Sequence, residues 1–260
     1  MKIRRLACQP ISVPLPPPPG GTGHPLTNYL TYCLVRVETD EDVVGYGEIS
    51  DGWGCEYAAV AAAIVDEALS RFLIDQDPTE HQAIVQRMWE WVRRRQGTGW
   101  LMAQAISGVE IALWDLAGKR AGRSVRELLG GIHPRIPVYV SGNFLSQGSP
   151  EVHLNFFRPF LEQGIRGLKV RIGTSWEAEL ETLAGLRQLV GPGITIFIDG
   201  NEAFSAKTAL RIARLMEPLG VGFFEEPMPR TDEEGLARLV AKSPVPVSYT
   251  HLTLPTILRV

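Results

Sequence analysis

From Pro137 onward the sequence repeats a single pattern, a short β-rich apolar run followed by an amphipathic helical stretch. The runs begin near Pro137, Gly167, Ile194, Val221 and Val245, and helical patterns lie between them at about 149–163, 175–190, 205–218 and 231–242. Successive runs start 24 to 30 residues apart, the length of one strand–crossover–strand unit. Apolar strands joined by amphipathic helices dictate a parallel sheet covered by helices, either open or part of a barrel. A closed (β/α)8 barrel takes eight such units. About four and a half are spelled out here, so the expected fold is α/β, with roughly the first half of a barrel at the C-terminal side.

The residues ahead of that repeat follow other rules. Residues 2–13, 28–38 and Val43–Glu48 alternate apolar and polar side chains and predict three strands of a small sheet. Between the first two, Pro14–Pro25 is too rich in proline and glycine for a ladder or a helix and reads as a loop. Helical patterns follow at 56–74, 79–95 and 100–121. The last is the clearest, with Leu101, Met102, Ala105, Ile106, Val109, Ala112, Leu113 and Leu116 forming one apolar stripe. The expected organisation is an α+β domain over 1–125 and the start of a barrel over 126–247.

Composition excludes several classes of function. The net charge of −3 and the even mixing of charges argue against nucleic acid and against an anionic membrane surface. No apolar stretch reaches the roughly 18 residues of a membrane span. Arg4–Arg5 ahead of Leu6-Ala7-Cys8 is not followed by the apolar run of an export signal, because Gln9, Pro10 and Ser12 interrupt it. Cys8, Cys33 and Cys55 are odd in number and widely spaced, which suits reduced thiols in the cytoplasm. A nucleotide-binding reading is weak too. Gly20-Gly21-Thr22-Gly23 opens no helix, and Gly45-Tyr46-Gly47 lies in a strand.

Chemistry concentrates where barrel enzymes keep it, at the carboxyl ends of the strands. Lys169-Val170-Arg171 places two cations on one strand face. The next strand ends in Asp199-Gly200-Asn201, and the one after it in Glu225-Glu226-Pro227. Each residue alone has a plain structural reading. A strand-end acid commonly caps a helix or sits in a loop, Lys169 and Arg171 can simply pair with neighbouring carboxylates, and Glu226 can shape a turn. In order on successive strand ends, the set reads as a site. Magnesium takes oxygen ligands, often one or two carboxylates plus substrate oxygens, and Asp199 and Glu225 can share such an ion. Lys169 beside a cation would titrate below an ordinary lysine. The combination suits removal of a proton next to a carboxylate, with the metal stabilising the charge that develops.

These motifs resemble the ordered barrel motifs of the mandelate racemase and muconate-lactonizing enzymes of the enolase superfamily. Val43–Glu48, Ile111-Ala112-Leu113-Trp114-Asp115-Leu116-Ala117-Gly118-Lys119 and Leu128-Leu129-Gly130-Gly131 resemble that family's capping domain. The resemblance implies a cap over a TIM-type barrel, with specificity loops at Pro16–Thr27 and Ser50–Cys55. It implies one magnesium ion per site on Asp199 and Glu225, and a small carboxylate substrate, such as a sugar acid, held by Lys169 and Asn201. Lys169 and Arg171 are the implied catalytic residues, Asp115 and Lys119 are structural, and the full-length enzyme is expected to be a homo-oligomer.

Two positions depart from the family pattern. Arg171 stands where many members have lysine, and a guanidinium is a poor base because it stays protonated. A polarising or substrate-binding role is expected for it, with the base supplied by later strands. That favours an acid-sugar dehydratase, with racemase, epimerase or cycloisomerase chemistry as the alternatives. After Val247, where the family continues to a third acidic ligand, the chain reads Ser248-Tyr249-Thr250-His251. His251 would be a poor magnesium ligand, and 248–260 is expected to be a non-native tail on a C-terminally truncated chain, one reading of which is an inactive fragment.

Overall fold

The computed structural model describes residues 1–14, 29–50, 57–95 and 100–250. The chain divides into two compact units, Met1–Pro134 and Arg135–Val260. Both stretches expected to be specificity loops, apart from Ser50, lie outside the described residues, as do Cys55 and His251.

In the first unit β1 (Ile3–Pro14), β2 (Tyr29–Thr39) and β3 (Val44–Ile49) form an antiparallel sheet in chain order. Alternation gives the sheet one buried face, carrying Cys33, Val35 and Val37. The long helix α3 (Trp100–Ala121) packs against that face with the predicted stripe, burying Ala105, Ile106, Val109, Ala112, Leu113 and Leu116. The approach is close to backbone contact. A Cβ on Gly47 would lie 2.0 Å from the Gly108 carbonyl oxygen, and one on Gly45 would lie 2.1 Å from that of Ala112. Two side chains fasten the same seam. Asp115 accepts from the Tyr46 amide at 2.8 Å and from Lys119 Nζ at 2.6 Å, while Lys119 also donates to the Val44 carbonyl at 2.9 Å.

The helical pattern at 56–74 is not one α-helix. It is α1 (Ala58–Ala63), a wide π turn over Ile64–Leu69 and a 3-10 turn over Ser70–Phe72. The wide turn buries Val65 and Leu69 while Asp66 accepts from the Cys8 amide of β1 at 2.9 Å. Periodicity reports which face is apolar and not how tightly the turn is wound. Then come α2 (His81–Arg95), ahead of α3, and the short α4 (Val125–Leu128), which starts on a Ser124/Glu127 capping box.

The second unit is the predicted repeat. Strands β4 (Val140–Phe144), β5 (Gly167–Arg171), β6 (Thr195–Asp199), β7 (Val221–Glu225) and β8 (Val247–Ser248) pair in parallel and in chain order. Helices α5 (Pro150–Glu162), α6 (Trp176–Val190), α7 (Ala206–Met216) and α8 (Glu233–Lys242) form the crossovers. Leu168, Val170, Ile196, Ile198 and Phe224 point to the helical side and share one core with Leu183, Leu186, Ile212, Met216, Leu236 and Leu239. Alternation sends Lys169, Arg171, Phe197, Asp199, Phe223 and Glu225 to the other face.

Gly47→Ala forces a methyl group into the Gly108 carbonyl. It is expected to cost at least the roughly 1–3 kcal/mol typical of overpacking. Urea unfolding of the variant against the parent checks this, and equal midpoints would contradict the close seam.

Candidate active site

The three central strands end flush. Arg171 is opposite Asp199, and Asp199 is opposite Glu225, so two carboxylates stand side by side at the end of a parallel ladder. Lys169 starts two residues below Arg171 and reaches up between them. Its Nζ donates to Glu225 Oε2 at 2.7 Å and lies 3.1 Å from Asp199 Oδ2. All three are buried, with 8% of Lys169 and 4% of each acid exposed. Burial works against the lysine's charge, but hydrogen bonds and charge attraction from Glu225 and Asp199 outweigh it and hold its pKa above the ordinary value. Here the two anions set the field around the ammonium; the lowered pKa expected of this lysine belongs to the site with a cation bound.

Arg171 is fixed from a different side. Its Nη1 donates to the Gly142 carbonyl of β4 at 2.6 Å, and Nε lies 3.9 Å from Asp199 Oδ2. Below the charges runs an aromatic layer. Phe197 and Phe223 stack at 4.2 Å, Tyr139 packs on Phe197 at 5.1 Å, and Lys169 Nζ lies 5.9 Å from the Tyr139 ring.

Behind the acids the chain turns sharply. Asn201 (φ 46°) and Glu226 (φ 40°) adopt left-handed conformations that residues with a Cβ seldom take. Gly200 sits where a Cβ would meet the Glu226 carbonyl oxygen, and the ring of Phe224, at 3.0 Å. Asn201 meets the site through its backbone, with its amide donating to Asp199 Oδ1 at 3.0 Å, while the residue itself is exposed. Lys169, Asp199 and Glu225 are thus brought together, Arg171 borders Asp199, and Asn201 supports Asp199 by its main chain.

Several contributors carry no motif. The Thr250 hydroxyl donates to Glu225 Oε1, and Tyr249 Oη donates to the Met228 carbonyl at 2.6 Å, both from the stretch after Val247 expected to be a non-native tail. Burial pushes the Tyr249 pKa up to about 12. Glu179, 2% exposed, accepts from the amides of Ser146 and Gly173 at 3.2 and 2.7 Å, joining the loops that follow β4 and β5. Its place in the first turn of an amphipathic helix reads in sequence as an ordinary exposed acid.

The donor set suits a hard divalent ion. Asp199 and Glu225 offer oxygen only, from neighbouring strands, in the number that magnesium commonly takes from protein. Among the described residues no third acid, histidine or cysteine joins them. In this structure the ammonium of Lys169 supplies the positive charge between the pair.

A parallel strand–helix sheet whose successive carboxyl ends bear a lysine and two acids belongs to the class of (β/α) barrel domains with a charged site at that end. The comparisons narrow the class. Residues 22–130 match the mandelate racemase / muconate lactonizing enzyme N-terminal domain, and residues 156–251 match the enolase C-terminal domain-like family. The chain belongs to the mandelate racemase/muconate-lactonizing enzyme family of the enolase superfamily, a family with a divalent metal, typically magnesium. It is 32% identical to an arabinonate dehydratase of Saccharolobus solfataricus over 86% of this chain and 61% of that protein. It is equally identical to a D-galactarolactone cycloisomerase of Agrobacterium fabrum, over 84% of this chain and 56% of the relative. A Streptomyces coelicolor racemase solved with bound magnesium superposes with a TM-score of 0.85 at 28% identity, covering 95% of this chain and 68% of that one. The chain thus spans about three fifths of the curated relatives it matches.

Lys169→Met leaves two buried carboxylates without their shared cation. Removing one partner of a buried pair typically costs about 3–5 kcal/mol. The variant is expected to unfold at lower urea in metal-free buffer and to regain stability when magnesium is added, by mass action on the folded state. An unchanged midpoint would show that the ammonium does not neutralise the acids.

Proposed function

We propose that this chain carries the metal-binding and carboxylate-binding part of a magnesium-dependent enzyme that removes the proton α to a substrate carboxylate, and that the substrate is a sugar acid undergoing dehydration. The observation that carries the reading is the buried Lys169–Asp199–Glu225 group on three consecutive strand ends. Asp199 and Glu225 would hold the ion, which when bound supplies positive charge to the enolate that proton loss creates.

The chain's own residues do the rest. Lys169, a charged donor at the strand ends, binds and orients the substrate carboxylate. Arg171 keeps a fixed positive charge beside Asp199 and polarises the substrate or binds it, since a guanidinium does not accept the proton at neutral pH. Asn201 lines the rim of the same strand end. Loss of the α hydrogen as a proton, and of the β hydroxyl, which takes up a proton and leaves as water, removes one water in all and gives an enol that tautomerises to a 2-keto-3-deoxy acid. The similarity to a sugar-acid dehydratase supports this outcome. A cycloisomerase reading shares the first step, and the Agrobacterium relative of equal identity favours it.

The test is incubation with a panel of aldonic and aldaric acids and their lactones in deuterated water with magnesium, followed by NMR. New 2-keto acid supports dehydration. Isomerised lactone without a keto product supports the second reading. Neither product, with no exchange of the α hydrogen, would sink both for this chain. Asp199→Asn and Glu225→Gln are expected to weaken magnesium binding by more than the about 100-fold upper range seen when an outer-shell partner is lost. Calorimetry of the folded variants measures it, and unchanged affinity would remove the pair from the metal site.

A further inference from the structure

The loops that follow β6 and β7 are joined by more than the sheet. Gly200 N donates to the Glu225 carbonyl at 2.8 Å, Glu202 N to that of Glu226 at 2.7 Å, and Phe204 N to that of Pro227 at 3.2 Å. Across this zipper Arg230 grips Glu202 with three donors. Its backbone amide and its Nε reach Oε1 at 2.9 and 2.8 Å, and Nη2 reaches Oε2 at 3.3 Å. Glu202 is itself left-handed, at φ 59°. A strained conformation of this kind persists only where its surroundings hold it. The residues so joined lie three beyond Asp199 and five beyond Glu225, on the loops that begin at the two acids.

We propose that Glu202 and Arg230 form a positioning pair that fixes the spacing of the Asp199 and Glu225 carboxylates, a proposal that rests on reading those acids as the metal pair. An exposed ion pair with one contact fixes little. Here a fork and a backbone amide converge on one carboxylate, so one residue's charge, plane and main chain are all set against the other loop. The pair touches neither acid. It acts by holding the two turns at one separation, which a hard ion with short, demanding oxygen distances reads as affinity.

The experiment is manganese binding to the whole chain, read by electron paramagnetic resonance with magnesium as competitor, alongside thermal unfolding. The unaltered chain is expected to bind one ion and Asp199→Asn to lose it. Glu202→Gln and Arg230→Met are expected to weaken binding by about 10–100-fold, the range for partners of metal ligands, and to alter the manganese line shape. Arg230→Lys, which keeps the charge but not the fork, is expected to recover only part of the affinity. A folded Glu202→Gln and a folded Arg230→Lys that bind as tightly as the parent, with Asp199→Asn still deficient, overturn the positioning role and leave the metal pair standing. No binding by the parent, or full binding by Asp199→Asn, overturns the metal pair and the positioning role with it.

Discussion

Stripping a carboxylate of water costs several kcal/mol unless a partner replaces the lost solvation. Asp199 and Glu225 are both buried, on paired strands and side by side, where each also repels the other. The ammonium of Lys169, lying within 3.1 Å of both, is what makes the arrangement tolerable. Everything around it serves that contact. The ladder sets the acids flush, the left-handed turns lead the chain away behind them, and the Gly142 carbonyl holds Arg171 close enough to add a second cation. The result is a charged cluster in which two cations face two anions.

The first unit solves a different problem. Its sheet and its long helix meet through glycines on both sides, at Gly45, Gly47 and Gly108, so main chain lies nearly on main chain. The Asp115 and Lys119 contacts then fix the slide of the helix along the strand. Such a seam tolerates little change in volume.

Much of this was legible in the sequence because periodicity and strand-end chemistry survive without coordinates. The 24-to-30-residue repeat foretold five parallel strands in order, and the α3 stripe foretold its buried face. Lys169, Asp199 and Glu225 stood out because they fall in order on successive strand ends, although each alone has an ordinary structural reading. The plain reading of Lys169, as a partner for nearby acids, is realised too, with the very acids of the site. What stayed hidden depends on distance in three dimensions. Glu179, Thr250, and the grip of Arg230 on Glu202 involve ordinary residue types with no spacing signature. The π turn after α1 and the raised pKa of Lys169 follow from packing and from local field, which a linear pattern does not carry.

The parallel strands pair strictly in chain order, and the lysine and its farther acid, 56 residues apart in sequence, meet across two neighbouring strand pairs. The charged cluster is therefore a product of three adjacent strand–helix units. The counter-charge that two buried anions require is thus covalently part of the same chain, carried by Lys169.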